Sequence, residues 1–193
     1  MGGYPIDYSS ITPMGGYAID YLVESGYMAY PWTHTLLANV LHRQRSTLRE
    51  LRVEQLATQD GLDSFSLHDF INLETFQCCI QGRPNPEEAS RIWATPTLKT
   101  LVLEYTDHDS QHGKYYFFLP NDIEWLDDFA RSVVKKSKYM DAGLECIEIS
   151  PTEESHWNPW SGLDGRQTAL IFENAKLAVE KHGIKFKYLQ CTV

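Results

Sequence analysis

The stretch "PTLKTLVLEYT", residues 96–106, decides the fold because its leucines are unusually spaced. Leu98, Leu101 and Leu103 occupy positions 1, 4 and 6 of a short apolar run. A regular strand alternates with a period of two and an amphipathic helix repeats every three to four residues, so this spacing fits neither pattern. It is typical of a chain that turns a corner and enters a short strand.

The same 1-4-6 spacing recurs in "STLRELRVEQL", "INLETFQCCI" and "AGLECIEISPT". Leu48, Leu73 and Leu98 each start one of these patterns and are spaced 25 residues apart, whereas the step from Leu98 to Leu144 is 46 residues. A period near 25 falls inside the range of about 20–29 residues that is characteristic of leucine-rich repeats. We expect the patterned residues to be buried: Leu48, Leu51, Val53, Leu73, Phe76, Leu98, Leu101, Leu103, Leu144, Ile147 and Ile149.

These repeats predict an α/β fold, an irregular leucine-rich-repeat-like solenoid with a parallel curved sheet and helices on its outer side. The longer step after Leu98 leaves room for one long helical insertion. A last segment, "GIKFKYLQC", alternates and ends the series less regularly. The predicted strands lie near residues 50–54, 74–79, 99–104, 145–149 and 184–190.

The segments between the predicted strands carry helix signals. "THTLLANVLHRQRS" has an apolar stripe with helical spacing. "NPEEASRIWAT" offers Asn85 as a cap and Pro86 at the first helical position. "NDIEWLDDFARSVVKKSKYM" places Glu124 three residues after Asn121, as in a capping arrangement. "GRQTALIFENAKLAVEKHG" predicts a further helix that Gly183 closes in a left-handed conformation.

On these motifs the chain resembles the leucine-rich-repeat part of fungal F-box/leucine-rich-repeat-like proteins. The resemblance covers residues 33–193 and rests on "LLANVLHRQRSTLRELRV", "INLETFQC", "PTLKTLVLEY" and "GLECIEIS". It implies that the repeats capture substrates for a ubiquitin ligase. Two departures from the family pattern stand out. No F-box is visible, and the repeat position that usually holds Asn or Cys is occupied by Leu56, Gln81, Thr106 and Thr152.

Residues 1–32 form a separate region that is rich in glycine and tyrosine. "GGYPIDY" and "GGYAIDY" echo each other within it. The region is interpreted either as an irregular cap over the open end of the first repeat, which solenoids require, or as a tyrosine-rich binding tail. The predicted division is therefore a cap or tail over residues 1–32 and a repeat domain over residues 33–193.

Composition narrows the classes of function. The chain has 193 residues and a net charge of −9, which argues against nucleic acid as a partner because phosphate binding requires a basic surface. No apolar run predicts a membrane span or a signal peptide. Cys78, Cys79, Cys146 and Cys191 do not form a zinc or disulfide pattern. Free thiols predict an intracellular protein, either cytoplasmic or nuclear. No GxSxG, HExxH, Walker or GxGxxG pattern occurs, so we expect no cofactor.

The predicted function is a non-enzymatic protein-interaction module that binds through the open face of the sheet. Strand alternation places one set of side chains there: Glu50, Arg52, Glu54, Thr75, Gln77, Thr100, Glu104 and Glu148. Their carboxylates predict an acidic face and hence a basic or polar segment as the partner. The alternative is a small metal-dependent enzyme that uses His108, His112 and nearby carboxylates of "DHDSQH". That stretch also carries the signals of a solvated loop.

Overall fold

A computed structural model of the protein describes residues 39, 41–53, 66–80, 83–105, 120–137, 143–151 and 165–188. These residues form five strands and three α-helices, together with two short 3-10 helices at His42–Gln44 and Leu67–Asp69. The strands are β1 (Glu50–Val53), β2 (Thr75–Cys79), β3 (Thr100–Tyr105), β4 (Cys146–Pro151) and β5 (Lys185–Tyr188). The helices are α1 (Pro86–Trp93), α2 (Pro120–Ser137) and α3 (Gly165–Glu180).

The five strands form one sheet in which every neighbouring pair is parallel. Their order in space is the order in sequence, β1-β2-β3-β4-β5, so β1 and β5 are the two outer strands of the described sheet. The predicted parallel α/β sheet is confirmed, and each observed strand lies within about two residues of its predicted bounds.

The apolar residues of the repeats align across the sheet. Leu51, Phe76, Leu101, Ile147 and Phe186 are register partners on successive strands. Because side chains alternate along a strand, partners in one row point to the same side. The predicted core is confirmed, since all eleven residues predicted from the 1-4-6 spacing are buried.

The helices cover the side of the sheet on which this row lies. Trp93 of α1, Phe129 of α2 and Phe172 of α3 belong to the same hydrophobic cluster as the strand residues. The Trp93 ring meets the rings of Phe76 and Phe129 edge-on, with centroids 5.4 Å and 6.3 Å away. Edge-to-face aromatic pairs of this kind stabilise a core beyond the area they bury.

Two predicted helix ends are confirmed and one is wrong. The Asn85 side chain accepts a hydrogen bond from the Glu88 amide at 3.0 Å, at the start of α1. Gly183 follows α3 with a φ of 82°, in the left-handed region. Asn121 does not cap α2, because that helix begins at Pro120. Proline lacks an N–H and has a fixed φ, so it suits the first turn of a helix.

The entry into each strand repeats the same main-chain hydrogen bonds. The Arg49 carbonyl accepts from two successive amides of the next unit, those of Glu74 and Thr75, at 2.8 Å and 3.1 Å. The same pair recurs in the following units: Glu74 accepts from Lys99 and Thr100, and Lys99 accepts from Glu145 and Cys146. The starts of β2, β3 and β4 therefore make the same backbone hydrogen bonds, despite the longer insertion between β3 and β4.

Several predictions fall outside the described residues. These are the N-terminal cap or tail, most of the helix predicted before β1, and the division of the chain at residue 32. Of that helix, Asn39 and Leu41 are described and are helical. Within the described part of the chain, every helix is too short or too polar to cross a membrane.

We predict that Leu101→Ala lowers the free energy of unfolding by about 2–5 kcal/mol, because Leu101 is fully buried in the central row and leaves a cavity. Leu177→Ala is the matched control, since Leu177 on α3 is 66 % exposed. Its effect should stay within about 0.5 kcal/mol. Urea denaturation measures the unfolding midpoints of the two variants. Equal midpoints would contradict the assignment of Leu101 to the core.

Candidate functional site

The side of the sheet opposite the helices is called the open face here. Its residues fall into rows of register partners. One row holds Glu50, Thr75, Thr100, Cys146 and Lys185, and the next holds Arg52, Gln77, Val102, Glu148 and Lys187. Glu104 lies in a third row beside Cys79 and Ser150. The structure thus brings seven of the eight predicted site residues onto one face, and Glu54 lies outside the described residues.

Glu104 is the centre of a polar network on this face. Its Oε1 accepts hydrogen bonds from Arg52 Nη2 at 3.0 Å and from Gln77 Nε2 at 2.6 Å. The three side chains come from three neighbouring strands and meet at one carboxylate oxygen. Because ionised acceptors make stronger hydrogen bonds than neutral ones, this network ties β1, β2 and β3 together on the face opposite the described helices.

The burial of Glu104 corrects its predicted role. The Glu104 side chain is only 2 % exposed and that of Arg52 is 22 % exposed. Strand alternation assigns Glu104 to the open face correctly, but it does not reveal that neighbouring strands supply a cation and an amide to its carboxylate. In this structure Glu104 binds within the protein and does not present its charge to a partner.

The predicted acidic character of the face rested on four carboxylates, of which Glu54 lies outside the described residues, and it stays a prediction. β5 adds Lys185 and Lys187, both exposed, to the same rows. The described charges are then balanced, with three of each sign: Glu50, Glu104 and Glu148 against Arg52, Lys185 and Lys187. The prediction counted only the four strands that carry the 1-4-6 spacing, so it missed the lysines of the irregular fifth strand.

The accessible part of the open face lies towards its two edges. Glu50 on β1 is exposed, as are the two lysines of β5. In the middle, Cys79, Val102 and Cys146 are buried along with Glu104. The intermediate residues are polar and half-buried: Thr75, Gln77, Thr100, Glu148 and Ser150. Such side chains can donate and accept hydrogen bonds with a bound segment, in the manner of an interface rim.

The three cysteines within the described residues are buried. Burial raises the pKa of the Cys78 thiol well above its ordinary value, and nearby Cys79 and Glu104 raise it further. Burial likewise raises the pKa of the Cys146 thiol. Because the thiolate is the nucleophile, thiols held protonated in this way are poor covalent catalysts. The predicted burial is confirmed for Cys78, Cys79 and Cys146, while Cys191 lies outside the described residues.

The residues of the metal hypothesis, His108 and His112, lie outside the described residues. Among the residues that the structure does describe, no group of three or more His, Cys, Asp or Glu side chains is arranged to hold a metal ion.

A second polar cluster, which sequence patterns did not indicate, joins α2 to the turn after α3. Asp127 Oδ1 lies 2.6 Å from His182 Nε2, and its Oδ2 accepts from Lys181 Nζ at 2.9 Å. Arg131 Nη2 lies 3.7 Å from the same carboxylate. Local sequence patterns do not indicate the contacts with Lys181 and His182, because these two residues lie 54 and 55 residues away from Asp127. The cluster fixes the last helix and strand to the preceding helix.

We predict that Arg52→Ala lowers the free energy of unfolding by about 1–3 kcal/mol, because it deprives the buried Glu104 carboxylate of its cation. The control is Lys99→Ala, which breaks the more exposed pair between Lys99 and Glu74. That loss should stay within about 0.5 kcal/mol. Adding Glu104→Gln to Arg52→Ala should recover part of the loss, since a neutral amide is cheaper to bury than an ionised carboxylate. Purely additive effects in this double-mutant cycle, measured by urea denaturation, would show that the two side chains do not interact.

We also predict an acid-sensitive contribution from Asp127. Burial raises the pKa of its carboxyl group, but hydrogen bonds from His182 and Lys181 outweigh this and hold the pKa below the ordinary value of 3.8. A carboxyl group whose pKa is lowered in the folded state adds stability above its ordinary pKa and loses it as the pH falls through the folded value. Asp127→Asn should therefore lower the urea midpoint at neutral pH, and the gap from the wild type should close below about pH 4. A gap that persists at pH 2 would contradict the ionic account.

Comparison with protein-family models, with curated proteins and with solved structures finds no match to this chain. The resemblance to F-box/leucine-rich-repeat-like proteins therefore stays a prediction from the quoted motifs. The function has to be inferred from the chain's own residues and their geometry.

Proposed function

We propose that the chain is an irregular leucine-rich-repeat-like solenoid that binds other proteins and does not act as an enzyme. The step of 25 residues, the five parallel strands in sequence order and the recurring bonds at the strand entries support a stack of equivalent units. Each unit of such a stack buries its apolar face against its neighbours and is not stable alone. In this proposal the sheet is curved and the helices lie on its outer side.

The observation that carries the proposal is the contrast between the two faces of the sheet. One face is buried under the helices in a single hydrophobic cluster. The other face offers polar side chains in register, including Thr75, Thr100 and Glu148, across neighbouring strands. Half-buried polar side chains in register on a packed scaffold suit recognition of an extended partner. In this proposal the function rests on the placement of this polar surface.

The partner class follows from the charge balance and from the resemblance. With three charges of each sign on the described face, net charge does not favour the basic segment that the sequence predicted. The resemblance supports capture of protein substrates for a ubiquitin ligase in the cytoplasm or nucleus. The binding residues that remain accessible are Glu50, Thr75, Gln77, Thr100 and Glu148.

The test is affinity capture with a variant of the open face and a matched variant of the helix face. The open-face variant is Glu50→Lys with Glu148→Lys, which leaves the buried Glu104 network intact. The control is Glu124→Lys with Glu173→Lys, because these two carboxylates are exposed on α2 and α3 and give the same change in net charge.

We expect wild-type protein and the helix-face variant to capture the same proteins at the same yield from a native lysate. The open-face variant should capture at least one of them about ten-fold less, with an unchanged urea midpoint. Equal capture by all three forms would contradict binding through the open face. A protein lost only with the helix-face variant would assign binding to the other side of the fold.

A further inference from the structure

β5 is an outer strand of the described sheet, and the core holds it in place. Its four residues pair with β4 on one side, and no strand of the described residues pairs with its other side. Phe186 is buried in the hydrophobic cluster, and the Tyr188 ring stacks on Phe172 with centroids 4.3 Å apart. The strand therefore presents a fixed backbone edge.

We propose that this outer edge of β5 accepts an extended acidic segment of a partner protein as a sixth strand. The proposal rests on the proposed function, because it assumes that the chain binds proteins, and it names the chemistry of one such partner. Addition of a peptide strand to a sheet edge takes affinity from main-chain hydrogen bonds and specificity from alternate side chains.

The backbone of β5 offers the main-chain groups for this pairing. The Lys185 amide donates to the Glu145 carbonyl of the unit before it, at 2.9 Å, and so points towards β4. Main-chain groups of successive residues in a strand point to opposite edges, as the side chains do to opposite faces. The N–H and C=O of Phe186 therefore point to the outer edge, where a sixth strand would meet them.

The two lysines of β5 favour a partner segment with acidic side chains. Lys185 and Lys187 are exposed and two residues apart, so they lie on the same face about 7 Å from each other. An extended peptide with acidic residues at positions i and i+2 repeats that spacing and sets a carboxylate beside each lysine. Opposite charges on neighbouring strands stabilise the pairing of the strands.

A second copy of the chain fits this edge less well. Pairing β5 with β5 of another copy would set lysines against lysines, and like charges on neighbouring strands destabilise a pair. Lysine on an outer strand is a common device against such self-association. The two lysines repel a second copy of β5 and attract an acidic strand. Both effects therefore favour an acidic partner.

The test uses a fluorescent heptapeptide in which three glutamates alternate with valines, at low ionic strength. Anisotropy should show binding that is at least ten-fold tighter than that of the same peptide with glutamine in place of glutamate. Lys185→Glu with Lys187→Glu should weaken binding at least ten-fold. Lys99→Glu with Lys135→Glu, which changes two exposed lysines elsewhere by the same charge, should not.

Two further results separate strand addition from simple charge attraction. Methylation of alternate backbone nitrogens in the peptide should abolish binding, and the bound peptide should slow hydrogen exchange at the Phe186 amide. The proposal that a partner adds a sixth strand would be overturned if the acidic peptide failed to bind or bound equally well after methylation. Capture of proteins through Glu50 and Glu148 would be unaffected by that outcome, so the proposed function is tested separately.

Discussion

The fold depends on one constraint, the burial of a continuous apolar row across five parallel strands. Leu51, Phe76, Leu101, Ile147 and Phe186 are neighbours only if all five strands keep the same register. A slip of one residue on any strand would turn its apolar side chains to the open face. The helices are needed for the same reason, since parallel strands require long crossovers and those crossovers cover the row.

The composition of the open face is a consequence of this constraint. Residues that alternate with the apolar row point to the open face, where they can form polar contacts. Hydrogen bonds among Arg52, Gln77 and Glu104 join three strands on the face opposite the described helices. Asp127 plays a comparable part on the helix side, where it binds Lys181 and His182. The two clusters lie on opposite sides of the sheet, and the exposed side chains of the open face lie towards its edges.

The sequence predicted the fold well because its signals are local and repeated. The spacing around Leu48, Leu73 and Leu98 contains both the strand positions and their register, so the core and the strand order could be derived from it. The Glu104 network could not, because it needs knowledge of which residues on other strands approach one carboxylate. The lysines of β5 were missed for a different reason. Gly183 occupies the position at which the earlier segments have leucine, so the segment that forms β5 does not show the 1-4-6 spacing.

The most direct test of this account is native-state hydrogen exchange along β3. Leu101, Val102 and Leu103 lie in β3, the central strand, which has two strands on each side. If all five strands form one cooperative sheet, the backbone amides of β3 should exchange only through global unfolding, with the full free energy that urea denaturation gives. Exchange of these amides through a low-energy local opening that is insensitive to urea would contradict a common core.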